Sequence, residues 1–366
     1  MKKICVILHS IRQGGGIQER RAMLVKEWAC KGHLVTVISP ESGDQDIQSF
    51  KDFANVGSLG VSLRRQRFQS LYFCIKLWIF FRNSKDFDAV LTSGVLTSFI
   101  VTLSASISGF ESKIFCTFHN PIKKEGGLIS WVEYMFKAAL VKYAVNRSYR
   151  CGVNSIALAQ EVEAITNVKP VTTIYNPVVD RDFMGLPPKK THREDIVSHK
   201  KILAVGRLCK QKGFDLLLRA IALIKKDVVL EIAGEGPQES ELKKLSEILG
   251  VGRRVNFIGY HKDIVGLMRS ADCFVLSSRW EGFGNVLVEA LYAQIPIVSY
   301  DCDYGPREVL ENGKYGILVK EKTPEALALA IEKALQSSMP VNKRWEDFTV
   351  QKIALEYLEF MDIAET

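Results

Sequence analysis

Two glutamates, Glu281 and Glu289, stand with seven residues between them across the junction of a loop and a helix-patterned segment. The apolar run Cys273-Phe274-Val275-Leu276 ends at two serines and reads as a buried strand, and Val286, Leu287, Ala290, Leu291 and Ala293 then recur near helical spacing. Phe283-Gly284-Asn285 lies where that helix starts. Backbone N–H groups at a helix start have no intrahelical partner and attract anions and sugar oxygens. Glu281, on the loop before it, can accept hydrogen bonds from hydroxyls lying on that terminus. Glu289, two turns on, can accept from a second pair. Carboxylates so spaced suit a ligand with hydroxyls at both ends. Taken singly, Glu281 reads as a helix cap and Glu289 as part of a solvated face.

A second constellation is cationic. In Gly206-Arg207-Leu208-Cys209-Lys210-Gln211-Lys212-Gly213 a strand ends, an Arg and a Lys five apart follow, and a glycine opens a helix. Arginine offers a planar fork of donors and lysine a point charge, both suited to a diphosphate. The plainer reading is a solvated basic turn. A third candidate is His119, at the end of the apolar strand Lys113–Phe118. A histidine at the carboxyl end of a strand in a doubly wound sheet faces the ligand crevice, although a lone histidine also serves as a structural hydrogen-bonder.

The elements around these residues alternate. Lys2–Leu8 is strand-like, Ile11–Gly16 carries three consecutive glycines, Ile17–Lys31 reads as a helix and Leu34–Ser39 as a strand, which is the unit of a nucleotide-binding fold. Glycines there let backbone approach a phosphate or a sugar. Residues 41–60 are polar and turn-rich. Further strands are expected at 87–93, 113–118, 150–154, 200–205, 228–233, 255–259, 273–276 and 316–319, with helices between, Ser155 as an N-cap, and a final helix from Trp345 to Met361. Residues 1–180 make one domain, the polar, proline-bearing stretch 181–199 a linker, and 200–340 a second domain, with 341–366 packing back on the first.

Glu281-Gly-Phe-Gly-Asn-Val-Leu-Val-Glu289-Ala, followed by a strand and Gly305-Pro306-Arg307-Glu308, resembles the E-x7-E signature of glycosyltransferase family 4. Gly206-Arg207-Leu208 through Lys212-Gly213 is similar to that family's diphosphate-binding motif, and Phe118-His119-Asn120 to its active-site histidine. The resemblance implies the α/β GT-B architecture, two facing Rossmann-like doubly wound domains with a cleft between them. It implies a retaining transferase acting on a nucleotide-sugar. His119 and Glu281 would then be catalytic. Gly15, Gly16, Arg207, Lys212, Tyr260, Phe283, Gly284, Asn285 and Glu289 would bind the donor, with Tyr260 at the base. Arg207, Lys212 and the helix start stabilise the leaving diphosphate in place of a metal. Asp301-Cys302-Asp303 matches D-x-D by letters alone. No pair of carboxylates stands as acid and nucleophile, so a front-face mechanism is preferred. The segment from Gly305 and the aromatic, basic first half look like bacterial O-antigen and capsule enzymes of surface-polysaccharide and lipopolysaccharide assembly. Those use UDP-sugars, or GDP-mannose, on a polyprenyl diphosphate-linked glycan at the cytoplasmic membrane face. Two other classes stay open. A UDP-sugar epimerase of the same architecture needs further acid/base groups beyond His119. A non-catalytic sugar-nucleotide binder need not keep the four charged residues.

The chain's 366 residues suit two domains, and 47% hydrophobic with 25% charged residues is ordinary globular composition. The eight cysteines form no C-x-x-C pair, which argues against a zinc site or redox motif and for a reducing, cytoplasmic setting. The apolar run Ile4–Leu8 is too short for a signal peptide. The whole excess charge of +8 lies in residues 1–185, with 23 Lys and Arg against 15 Asp and Glu. That favours an anionic membrane surface or a phosphorylated acceptor over nucleic acid, of which no module is recognisable. Arg64-Arg65-Gln66-Arg67 precedes an aromatic, apolar helix-length run to Arg82, which is either core or an interfacial element. Trp131, Tyr134, Met135 and Phe136 offer a second such ridge.

Overall fold

The computed structural model describes residues 1–9, 16–40, 48–60, 69–84, 86–110, 112–123, 128–167, 170–180, 199–337 and 341–363. Gly15 and most of its glycine loop, the basic stretch 64–67, residues 124–127 and the linker 181–198 lie outside the described residues. The chain divides into two compact units, Met1–Asp180 with Thr349–Thr366, and Arg181–Phe348.

The first unit runs β1 (Lys3–Ile7), α1 (Gly16–Cys30), β2 (Leu34–Ser39), α2 (Gln48–Lys51), β3 (Asn55–Ser58), α3 (Gln69–Asn83), β4 (Ala89–Ser93), α4 (Val95–Ser108), β5 (Lys113–Phe118), α5 (Leu128–Arg147), β6 (Arg150–Val153), α6 (Ile156–Thr166) and β7 (Thr172–Thr173). Its seven strands are parallel, in the order β3-β2-β1-β4-β5-β6-β7. Ile4, Cys5, Val6 and Ile7 are all buried, as expected of a strand covered on both faces. Ser155 caps α6 by accepting from Leu158 N at 3.3 Å. The stretch 41–60, expected to be turns, holds α2 and the edge strand β3. Asn55-Val56-Gly57-Ser58 carries one large apolar residue, and its pairing to β2 rests on backbone bonds that composition does not advertise.

The second unit runs β8 (Lys200–Val205), α7 (Phe214–Leu223), β9 (Val228–Ala233), α8 (Glu239–Ile248), β10 (Val255–Gly259), α9 (Ile264–Arg269), β11 (Cys273–Leu276), α10 (Asn285–Ala293), β12 (Ile297–Tyr300), α11 (Pro306–Val309), β13 (Ile317–Val319) and α12 (Pro324–Ala334). Its six parallel strands are ordered β10-β9-β8-β11-β12-β13. Alternate residues of β8 and β9 join Phe214, Leu217, Leu218 and Ile221 of α7 in one core.

The final helix expected from Trp345 to Met361 is two elements. A 3-10 turn, Arg344–Phe348, belongs to the second unit, with Trp345 edge-on to Tyr292. Thr349 is extended and pairs with Val179, and α13 (Val350–Phe360) starts after it. Ile353, Ala354, Tyr357 and Leu358 enter the core of the first unit. The Trp28 indole N–H donates to Ala354 O at 3.1 Å, and Asp362 pairs with Lys113 and Arg150.

Candidate active site

In each sheet the strand order reverses once, between β1 and β4 and between β8 and β11. Ligands of doubly wound sheets bind beyond the carboxyl ends of the strands at that reversal. Arg207 and Lys212 follow β8, and Glu281 follows β11, so the two constellations hang from adjacent strands.

The loops are stapled together. Lys212 Nζ lies 2.6 Å from Glu281 Oε1, and the Ser278 hydroxyl donates to the same oxygen at 2.5 Å. Glu281 is buried and the Lys212 side chain 19% exposed. Arg279 grips Asp215, the second residue of α7, with two bonds of 2.8 and 2.6 Å, and its amide donates to Gln211 O. Burial acts to raise the Asp215 carboxyl, but the Arg279 fork outweighs it and holds the group below the usual carboxylate range. The Gln211 amide donates to Trp280 O and Ser277 Oγ to Lys212 O. Gly213 takes φ of +62°, and a Cβ there would stand 2.2 Å from Ser277 O, so only glycine lets the loops approach this closely.

Lys212 has three ammonium hydrogens and gives one to Glu281, which leaves two for a ligand oxygen. Arg207 is exposed at the end of β8. Gly284, in the left-handed region, precedes α10 without a side-chain cap, and Asn285 is the helix's first residue. Glu289 is half-buried on α10, and Tyr260 is exposed beyond β10. Phe283 is buried, edge-on to Phe348 at 5.6 Å, so its side chain belongs to the core and a ligand would meet only its backbone. Gly305 sits against that backbone, where a Cβ would be 2.0 Å from Phe283 O. Arg207, Lys212, Glu281, Gly284, Asn285 and Glu289 thus belong to one sheet end of one unit. Asp301 of the D-x-D look-alike is occupied by Arg307. Among the described residues no group of three or more His, Cys, Asp or Glu is placed to hold a metal.

His119 belongs to the first unit, directly after β5, and is buried. Its Nε2 lies 3.0 Å from Arg21 Nη2 and 3.2 Å from Thr117 Oγ1, and its carbonyl accepts from Asn154 Nδ2 at 3.1 Å. Desolvation, then the Arg21 charge, depress the ring to about 3, against a smaller opposing hydrogen bond from Asn176. Gly16 is the first residue of α1.

The profile of the glycosyltransferase family 4 domain matches residues 14–181, and that of the glycosyl transferases group 1 domain residues 189–350. Both halves of the chain are glycosyltransferase domains. The chain is an enzyme of that class, and its two Rossmann-like sheets are the GT-B fold. A GalNAc-alpha-(1->4)-GalNAc-alpha-(1->3)-diNAcBac-PP-undecaprenol alpha-1,4-N-acetyl-D-galactosaminyltransferase of Campylobacter jejuni is 26% identical, over 99% of this chain and 98% of its own. A second Campylobacter jejuni enzyme, N-acetylgalactosamine-N,N'-diacetylbacillosaminyl-diphospho-undecaprenol 4-alpha-N-acetylgalactosaminyltransferase, is 30% identical over 53% of this chain and 54% of its own. Several curated relatives are matched over about half their length. An Anabaena protein solved with UDP and glucose superposes with a TM-score of 0.77 at 20% identity, covering 100% of both chains. A lipopolysaccharide outer core galactosyltransferase does so at 0.76 and 18%, covering 98% of this chain and 99% of its own.

Four residues of this glycosyltransferase were invisible to sequence reasoning. Arg279 and Asp215 carry no motif of their own, and their pairing spans 64 positions. Ser278 reads as a strand terminator. Arg21 sits in Glu19-Arg20-Arg21, which looks like a solvated helix face, yet it is 2% exposed. Its neighbours Ala22, Leu24 and Val25 were the available signal.

Proposed function

We propose that this glycosyltransferase moves a hexose or N-acetylhexosamine, with retained anomeric configuration, from a UDP-sugar to a hydroxyl of a lipid-linked glycan in surface-polysaccharide assembly. The observation that carries the donor half is the Lys212–Glu281 pair at the strand reversal, beside the uncapped start of α10. As the glycosidic bond breaks, charge develops on the diphosphate. Arg207, the two spare hydrogens of Lys212 and the α10 terminus meet that charge without a metal. Preorganised donors of this kind are worth roughly 3 kcal/mol each. Glu281 accepts from hydroxyls of the transferred sugar and Glu289 from the ribose, while Tyr260 borders the base. Gly284, Asn285 and the Phe283 backbone line the donor. Gly15 and Gly16 approach the diphosphate, and His119 contacts the sugar near the reacting carbon. The leaving phosphate oxygen takes the acceptor's proton on the same face. The UDP and lipid-diphosphate ligands named for the relatives support the substrate classes by analogy.

The acceptor's lipid fits a surface feature of the first unit. Phe73, Leu77 and Phe81 of α3 are buried, whereas Leu71, Tyr72, Ile75 and Ile79 of the same helix are exposed. Trp131, Val132, Met135 and Phe136 of α5 are exposed as well, and α4 packs against both helices. Lys76 and Arg82 lie over Tyr72 and Trp78. An apolar, aromatic face with basic stems suits the headgroup boundary of an anionic bilayer. No helix among the described residues is long and apolar enough to cross a membrane. A peripheral position on the inner face of the cell membrane is the setting proposed.

The test is a panel of UDP- and GDP-sugars with a polyprenyl diphosphate-linked glycan, read by released nucleotide and by the anomeric configuration of the product. Transfer with retention from a UDP-sugar is expected. Transfer only from GDP-mannose replaces the donor, and a new UDP-sugar without acceptor replaces the reading by an epimerase.

A further inference from the structure

Arg21 of α1 is the most thoroughly buried cation of the first unit's candidate site, and among the described residues no carboxylate pairs with it. Its Nε donates to Ser93 Oγ at 3.1 Å, at the end of β4. Its Nη2 donates to Thr117 Oγ1 at 2.8 Å and reaches His119 Nε2 at 3.0 Å. Its Nη1 is buried with no hydrogen-bond partner, and the guanidinium lies 4.7 Å from the centroid of the Tyr357 ring of α13. Burying an uncompensated guanidinium is costly, so its position calls for a reason.

We infer that Arg21 is a positioning residue that fixes His119 as a neutral imidazole with its proton on Nδ1. This rests on the reading that His119 contacts substrate. An arginine only donates, so the Nε2 atom 3.0 Å away must be an acceptor. Two N–H groups could not face each other at that separation. Thr117 gives its single hydroxyl hydrogen to Thr92 O at 2.8 Å, so it too only accepts inside the cluster. The two hydrogens of Nη2 then go one to Thr117 and one to His119. The remaining ring nitrogen, Nδ1, carries the proton. The Asn176 side chain hydrogen-bonds the ring and favours its charged form; with Nε2 taken by Arg21, the assignment puts that bond on Nδ1–H, with the amide oxygen as acceptor.

Among the described residues no other charge opposes the arrangement. The groups facing the ring are Arg21 from α1, Thr117 from β5 and Asn176 from the segment after β7. Asn154, after β6, addresses the His119 carbonyl. Glu161 of α6 is occupied by the amides of Ile122 and Lys123 at 3.2 and 2.7 Å. Arg20 turns to Val178 O. Tyr357 is behind Arg21. The chemical consequence is specific: a cation on Nε2 makes Nδ1–H a stronger donor and closes the ring's other lone pair. With Nε2 closed by Arg21 and Nδ1–H given to Asn176, His119 does not serve as the base that deprotonates the acceptor. It also gives α13 a role, since Tyr357 seats the guanidinium.

The experiment is a two-bond proton–nitrogen correlation spectrum of the full chain labelled with 15N-histidine, recorded without substrate between pH 5 and 8. The His119 signals are identified by their loss in His119→Gln. The wild type should show an unprotonated Nε2, a protonated Nδ1 and no titration in that window. Arg21→Lys, which keeps a donor and a charge, should keep that pattern. Arg21→Met should turn the proton to Nε2, towards Thr117 Oγ1. A wild-type ring protonated on Nε2, or titrating near its ordinary value, overturns the assignment even if no variant folds. So does a folded Arg21→Met with the wild-type pattern. Because no transfer is measured, a chain with the expected spectrum but no sugar transfer upholds this assignment while contradicting the function.

Discussion

Lys212 Nζ and Glu281 Oε1, 69 positions apart in the sequence, meet at 2.6 Å and tie the loop after β8 to the loop after β11. The pair is both a structural staple and the core of the proposed donor site. Lys212→Met leaves Glu281 buried with Ser278 alone, and should cost about 3 kcal/mol of unfolding free energy. Glu281→Gln keeps the shape and the Ser278 contact. It should leave thermal unfolding within a few degrees of wild type while lowering kcat by about 100-fold or more. Unchanged turnover in Glu281→Gln removes that residue from the chemistry.

The Arg279–Asp215 fork holds the same two loops from the other side. Arg279→Lys loses the planar geometry but keeps charge, and should recover less than half of the loss seen in Arg279→Ala. That loss is expected to be about 1–2 kcal/mol of stability, discounted because both side chains are a quarter to a third exposed. Chemical denaturation of the three proteins checks it.

The neutral His119 gives the fold an acid sensitivity of known sign. Its ring sits at about 3 in the folded chain against 6.5 in the unfolded one. The unfolded chain therefore binds the extra proton first. The stability contributed is complete above pH 6.5 and is lost as pH falls from there towards 3. Between pH 6.5 and 5, above the carboxylate range, unfolding free energy should fall by about 1 kcal/mol per pH unit through this residue. His119→Gln should flatten that limb. An unchanged limb in the variant contradicts the buried neutral ring.

The exposed face of α3 should bind membrane. Replacing Tyr72, Ile75 and Ile79, each 42–44% exposed, by serine should weaken binding to vesicles containing anionic lipid by about tenfold or more while the chain still folds. Phe81→Ser, by contrast, removes a fully buried ring and should destabilise the chain. Equal vesicle binding by the triple variant and wild type contradicts a membrane role for this face.

Much of the framework was legible because buried parallel strands are uninterrupted apolar runs. Lys113–Phe118 and Cys273–Leu276 match their expected bounds, and Ser155 caps as its type suggests. The helix expected to run unbroken from 345 fails at Thr349. Its extended backbone is set by pairing with Val179, a partner 170 residues away that no local pattern announces. Phe283 reads as a ligand contact because it stands inside a motif; what buries it is Phe348, from the far end of the unit. Arg207, Lys212, Glu281, Glu289 and His119 were readable from their motifs. Their pairing, Lys212 with Glu281, Arg279 with Asp215 and Arg21 with His119, was not, since each joins segments distant in the chain that only the sheet order brings together.

The central claim is that a cationic pair after β8 holds the donor's diphosphate. Calorimetric titration of UDP into the wild type, Arg207→Ala, Lys212→Met and the exposed control Lys226→Ala tests it most directly. The account predicts Kd raised by about tenfold or more in each of the first two variants, as expected for loss of a charge-assisted bond to phosphate, and unchanged in the control. Equal affinity in all four proteins would contradict it.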